Sequence, residues 1–160
     1  MRYLVVSDTH GKHRSLREVI EKVGHVDAMF HLGDIEGGLS EIQEMIDYPF
    51  YGVSGNNDFG SVLDGERIVA VGEHRILMTH GHRYSLFWGA ERLVIEAKER
   101  GCDVVLFGHT HVPFLEEIDG IWVANPGSVA LPRQASKKPS YLIMELDTKG
   151  RLHFTLAELE

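Results

Sequence analysis

Residues 3–10 read YLVVSDTH, an apolar run of strand character that passes without a break into Asp8, Thr9 and His10. The same join recurs four times. DAMFHL (27–32) leads into Gly33 and Asp34, and FYGVS (50–54) into Gly55, Asn56, Asn57 and Asp58. RILMT (75–79) leads into His80, Gly81 and His82, and DVVLF (103–107) into Gly108, His109, Thr110 and His111. Helical spacing fills the intervals between these strands. Leu16, Val19, Ile20 and Val23 form one such pattern, with Ser15 and Glu18 spaced as a capping box and Gly24 as a stop. Leu39, Ile42, Met45 and Ile46 form a second, before Pro49, and residues 85–100 a third and longer one, closed by Gly101. Strands that alternate with helices predict a parallel-rich sheet.

From Phe114 onward the pattern changes. FLEEI (114–118) and IWVAN (121–125) flank the hairpin signal Asp119-Gly120, and YLIMEL (141–146) and RLHFTL (151–156) flank residues 147–150. An antiparallel meander is predicted there. The chain has no internal repeat, low-complexity tract or dividing linker, so the expected fold is α/β, a two-sheet β-sandwich flanked by helices, in one domain over residues 1–160.

Composition narrows the function classes. With 43% hydrophobic residues, 160 residues can bury one core. Sixteen basic and twenty-four acidic residues give a formal charge of −8, and no run of Lys and Arg offsets it, so a nucleic-acid polymer is not an expected partner. Cys102 stands alone, which rules out an internal disulfide or a thiolate zinc site and fits a reducing, cytoplasmic setting. No apolar stretch is long enough for a membrane span, and the N-terminus lacks signal-peptide character. Self-association is left open.

The five strand ends carry the chemistry. In parallel α/β sheets the carboxyl ends of the strands form the ligand-binding edge, so residues distant in sequence converge there. Asp8/His10, His80/His82 and His109/His111 share an i, i+2 spacing, which in an extended chain puts both side chains on one side. One such His is an ordinary loop residue, but five strand ends that each select Asp, His or Asn predict a shared metal site. Carboxylate, imidazole and carboxamide donors without thiolate favour hard or borderline divalent ions, manganese foremost, with iron, zinc or nickel as alternatives. Seven candidate donors exceed the four of a tetrahedral zinc site, so two ions are expected, with Asp34 as the bridging candidate.

The ordered set SDTHG, HLGD, GNND, THGH and GHTH, followed by NPGSVALPR, resembles the calcineurin-like metallophosphoesterase family, in its compact single-domain phosphodiesterase branch. The likeness runs from Met1 to about Arg133. It implies that Asp8, His10 and His111 hold one metal, that Asp34 bridges, and that Asn56, His80 and His109 hold the other. The implied activity is hydrolysis of small phosphodiesters, by attack of a hydroxide that bridges two ions about 3.5–4 Å apart. Where the wider family usually keeps a His, this chain has Asn57, which cannot act as a general acid at neutral pH and is expected to donate a hydrogen bond to the phosphate. His82 and His13 are the substitute acids the sequence offers. Asp58 is expected either to orient Asn56 or to stabilise the turn, and Arg133, Lys137 and Lys138 to form a solvated basic loop. The family also contains a non-enzymatic protein-interaction scaffold on the same fold, and a nuclease shares its chemistry. These are the alternative functions.

Overall fold

Residues 2–6 form β1 (Arg2–Val6), the middle strand of a five-stranded sheet, in a computed structural model that describes residues 1–160. β1 pairs in parallel with β2 (Ala28–His31), which pairs in parallel with β3 (Phe50–Gly52). On its other side lie the antiparallel strands β9 (Ser140–Leu146) and β10 (Leu152–Glu158), giving the order β10-β9-β1-β2-β3. The second sheet has the order β4-β5-β6-β8-β7. Its strands β5 (His74–Thr79), β6 (Val104–Leu106) and β8 (Ile121–Asn125) run parallel, between the antiparallel edges β4 (Glu66–Val71) and β7 (Phe114–Ile118).

Side-chain alternation explains why the run YLVV has no polar member. Tyr3 and Val5 point into the space between the sheets, where they meet Phe30, Met78, Leu106 and Leu142. Leu4 and Val6 point the other way, onto Leu16 and Val19 of α1 (Arg14–Val23) and Ile42 of α2 (Leu39–Glu44). Both faces of the strand are therefore covered, as in parallel sheets generally. On the second sheet, Leu77 and Val105 pack beneath Leu93, Val94 and Ala97 of α3 (Glu91–Glu99). Full burial of such a side chain contributes about 1.5–3 kcal/mol each. No helix is long and apolar enough to cross a membrane.

Three sequence expectations are corrected. Ser15 lies inside α1 rather than capping it, because the helix starts at Arg14 with His13 at the cap and no side-chain cap bond. The long helix over 85–100 is two pieces: Ser85 and Gly89 take positive φ values of 52° and 104°, isolating a single 3₁₀ turn (Leu86–Trp88) before α3. The C-terminal strands do not form one meander, since the β7–β8 hairpin joins one sheet and the β9–β10 hairpin the other. In addition β8 pairs in parallel with β6, which aims its end, Asn125, the same way as the metal-capable clusters.

At the far end of β5 from those clusters, His74 joins the two sheets. Its Nδ1 lies 2.6 Å from Asp103 Oδ2 and its Nε2 2.7 Å from the Gly150 carbonyl, in the β9–β10 turn. Two acceptors on one ring require both nitrogens to donate, which is the imidazolium. Burial opposes the charge, but the Asp103 carboxylate and the Gly150 carbonyl raise the His74 pKa above its ordinary value. A raised folded-state pKa adds stability that is complete below the unfolded value of about 6.5 and is lost as pH rises through the folded value. Solvent screening limits the effect to about 1 kcal/mol. Urea unfolding between pH 6 and 9 is expected to show the wild type losing this increment and His74→Gln losing none; parallel pH profiles for the two proteins would remove the clamp from the account.

Candidate metal centre

The strand ends do converge, but not through extended backbone. Asp8, His10, Asp34, His109 and His111 all have left-handed φ, between 49° and 69°, and they are five of the nine non-glycine residues with positive φ. Extended i, i+2 pairing therefore does not place Asp8/His10 or His109/His111. Each chain turns sharply as it leaves its strand, at a cost of about 1–3 kcal/mol per residue. Hydrogen bonds hold the turns: Asp8 N–H donates to the Gly33 carbonyl (3.0 Å), His10 N–H to that of Asp34 (2.8 Å), and His109 N–H to Asp8 Oδ2 (3.1 Å).

These turns point acidic oxygens and imidazole nitrogens at a common centre. Asp8 Oδ1 lies 3.3 Å from His111 Nε2, 3.7 Å from His10 Nε2 and 3.8 Å from His80 Nε2. Asp34 Oδ2 lies 3.3 Å from His80 Nε2 and 3.8 Å from His10 Nε2. His10 and His111 face each other nitrogen to nitrogen at 3.1 Å. Asp8 with His10 and His111 makes one group able to hold an ion, and Asp8 with Asp34 and His80 another. Asp8 belongs to both, and Asp34 Oδ2, the bridging candidate of the sequence, likewise lies near a histidine of each, His10 and His80. Asn56, which is solvent-exposed, meets His109 at 3.2 Å (Oδ1 to Nδ1), and the His109 ring packs edge-on against His80 at 5.1 Å.

Three of the histidines have their tautomer fixed. Nδ1 of His80 donates to the Leu32 carbonyl and that of His111 to the Leu131 carbonyl, both at 2.7 Å, while His10 Nδ1 lies 3.1 Å from Glu36 Oε2. With Nδ1 occupied as a donor, Nε2 is the nitrogen turned inward, where its proton would give way to a bound ion, the arrangement a metal-binding imidazole needs. Ser7 Oγ (2.6 Å) and His109 N–H likewise use Asp8 Oδ2 and leave Oδ1 free. Asp8 Oδ1 and His80 Nε2 are both buried without any hydrogen-bond partner. Unpartnered buried acceptors that aim at one point, in a donor set without thiolate, fit hard or borderline divalent ions.

The electrostatics agree. Burial works to raise the Asp8 carboxyl, but His10, His111, His80 and Ser7 outweigh it and hold it well below the usual carboxylate range. Asp34 is treated likewise by burial on one side and His80 and Asn57 on the other, and it falls to about 2. Both are therefore anionic at neutral pH.

Asn57 is turned toward Asp34. Its backbone N–H donates to Asp34 Oδ1 (2.9 Å) and its carboxamide to Oδ2 (3.0 Å). Asp58 joins two loops, because its carboxylate accepts from the N–H groups of Asp34 (2.7 Å), Gly55 (2.8 Å) and Glu36 (2.7 Å). It orients Asp34 rather than Asn56. His82 lies tilted against His80 and His109, with ring centroids 5.6 and 6.2 Å away, and burial, His80 and Arg83 lower its pKa. His13 is buried beside Gly38 and makes no hydrogen bond to any candidate ligand. Lys137 folds back to donate to the Arg133 carbonyl of its own loop (3.2 Å).

Sequence reasoning missed Glu36 and His31, and it gave Asn125 no role beyond the NPGS turn near the pocket. Fully buried His31 is kept neutral by desolvation, with a pKa of about 4, and joins Gly33 N–H (3.1 Å) to Thr9 Oγ1 (3.1 Å). Asn125 donates to Gly108 O and Thr110 Oγ1, each at 3.0 Å, and Ser128 Oγ donates to the Asp8 carbonyl (2.8 Å), so NPGS supports the centre. The parallel pairing of β8 was the missing signal. Close approach also explains two glycines: a Cβ at Gly55 would come within 2.2 Å of Asp34 Oδ1, and one at Gly108 within 2.1 Å of Ser7 Oγ.

Comparison with known proteins gives a consistent picture. Residues 1–149 match the model of the calcineurin-like phosphoesterase superfamily domain. The chain is 34% identical over 148 residues to the probable metallophosphoesterase YsnB of Bacillus subtilis, covering 92% of this chain and 85% of that one. It is 29% identical over 145 residues to phosphodiesterase MJ0936 of Methanocaldococcus jannaschii, covering 79% and 83%. A crystal structure of a predicted phosphoesterase from Streptococcus pneumoniae superposes with a TM-score of 0.83 at 31% identity, covering 98% of this chain and 88% of that one.

Removing the Asp58 carboxylate strands three backbone donors. Asp58→Ala is expected to destabilise the protein by about 2 kcal/mol in urea unfolding. It is also expected to weaken divalent-ion binding about 10–100-fold in calorimetric titration, as loss of a supporting partner does. Unchanged ion affinity would show that the loop crosslink does not shape the centre.

Proposed function

This chain belongs to the calcineurin-like phosphoesterase superfamily, and we propose that it is a phosphodiesterase that hydrolyses small phosphodiesters at a centre for two divalent ions. One observation carries the reading: the buried Asp8 Oδ1 and His80 Nε2 have no partner in the protein and face each other at 3.8 Å amid two overlapping ligand groups. Asp8, His10 and His111 would hold one ion and Asp34, Asn56, His80 and His109 the other, with the two carboxylates within reach of both. Manganese heads the expected ions, followed by iron, zinc and nickel. Such ions supply Lewis acidity that acidifies water and neutralises phosphoryl oxygens.

The chain's own residues supply position and charge. Glu36, Leu32 and Leu131 each engage the Nδ1 of one imidazole, so that Nε2 is the nitrogen each ring would offer an ion. Two anionic carboxylates offset only half the charge of two divalent ions, so the loaded pocket attracts a phosphodiester despite the acidic surface. Asn57 positions Asp34 through two hydrogen bonds and has a second amide proton to offer a phosphoryl oxygen. No side chain stands ready as a strong leaving-group acid: Asn57 cannot serve, and the lowered pKa of His82 keeps that imidazole neutral. Esters whose leaving groups need no protonation are therefore the best substrates. The absence of a basic track disfavours long polyanions.

The manganese-loaded protein is expected to cleave bis(4-nitrophenyl) phosphate, and Asp34→Ala or His80→Ala to reduce kcat/KM at least about 100-fold, the scale of losing a group that organises the charge. Full metal occupancy with no cleavage of any phosphoester would end the enzymatic reading. Asn57→His is expected to raise turnover of alkyl esters on the order of a hundredfold relative to nitrophenyl esters, the lower end of the range for gain of a general acid. Equal effects on both classes would exclude a leaving-group role at this position.

A further inference from the structure

Beside the centre opens a cleft of about 730 Å³ between the loop that follows Asp34 and the loop that follows Asp58. Two of its walls are residues that touch the candidate ligands directly: Glu36, the partner of His10, and Asn57, the partner of Asp34. Anything seated on the centre therefore borders this space. No Lys, Arg or His lines it. Its charged residues are Glu36 and Asp58, and both Asp58 oxygens are already used by backbone donors. Gln43 on α2 is exposed and offers a carboxamide. On the opposite wall Phe59 is 90% and Val62 88% exposed. A Phe ring left almost wholly in water, beside a chemical centre, is a free face for another flat ring.

We infer that this cleft receives one ester arm of the substrate, and that the arm is an uncharged aromatic group such as an aryl or nucleobase-bearing alcohol, stacked on Phe59. The inference rests on the metal-dependent phosphodiesterase reading and adds the substrate class to it. The sign of charge does the selecting. An arm that bears a second phosphate or a carboxylate would meet Glu36 with no cationic side chain lining the cleft to pair with it, whereas a neutral ring loses little solvation and gains the Phe59 face. Dinucleotides with terminal phosphates and carboxylated esters are thereby rejected at the cleft even though the centre itself attracts anions.

Monoesters with a single arm isolate the cleft from the chemistry, because only that arm can enter it. Calorimetric titration of the manganese-loaded protein with methyl phosphate, phenyl phosphate and 4-carboxyphenyl phosphate reads the affinities directly, independent of turnover. Phenyl phosphate is expected to bind about tenfold tighter than methyl phosphate, within the range of one stacking contact. Phe59→Ala is expected to abolish that advantage and leave methyl phosphate unchanged. The carboxylated ring is expected to bind more weakly than the plain one, and Gln43→Lys to reverse that order. A phenyl advantage that survives Phe59→Ala, or a carboxylated ring that binds as well as the plain one in the wild type, would overturn the assignment. Failure of the parent reading looks different: methyl phosphate would then not bind to the metal-loaded protein, or bis(4-nitrophenyl) phosphate would not be cleaved.

Discussion

Two buried carboxylates share one imidazole: Asp8 and Asp34 both lie within 3.8 Å of His80 Nε2, with almost no solvent access. Burying two like charges this close is unfavourable by several kcal/mol unless cations or donors compensate. Much of the local structure is that compensation. Ser7 and the His109 N–H occupy one oxygen of Asp8, and Asn57 donates twice to Asp34. His10, His80 and His111 turn their nitrogens inward. What stays without a hydrogen bond, Asp8 Oδ1 and His80 Nε2, is the part of the pocket that asks for a ligand from outside the chain.

The two-sheet architecture makes this arrangement attainable. Asp8 and Asp34 leave one sheet, His80, His109 and His111 leave the other, and the apolar core between the sheets holds the two edges in register. Left-handed turns at five ligand candidates aim the side chains, and their strain is opposed by bonds between loops, chiefly through Asp58, His31 and Ser128. Fixed geometry is bought there with local strain, which is the usual state of a functional site. The outer wall of the cleft, at Phe59 and Val62, is built differently, from exposed loop residues, and so is free to set preference without disturbing the centre.

Much of this was legible in the sequence, for identifiable reasons. Apolar runs ending in Asp, His or Asn located five strands and their functional ends, because side chains at the ends of parallel strands converge whatever lies between them. The identity of the supporting residues was not legible. Glu36 is two residues from Asp34 and looks like ordinary loop acid, and His31 looks like a core histidine, until the fold brings each to a specific atom. For Asn125 the NPGS turn was legible but its bonds to Gly108 and Thr110 were not, because a hairpin signal hides the parallel pairing on the other side of β8. Backbone handedness was invisible as well. The i, i+2 spacing pointed to the right residues through extended geometry, whereas the chain places them through positive φ.

The central claim is that seven side chains from five strand ends form a centre for two divalent ions. Elemental analysis of the protein, dialysed against manganese and then freed of loose metal, tests it most directly. The account expects two ions per chain in the wild type and a loss of ions in Asp8→Ala, whose carboxylate belongs to both ligand groups. A folded wild-type protein that retains no metal, or an Asp8→Ala protein that retains the full complement, would contradict it.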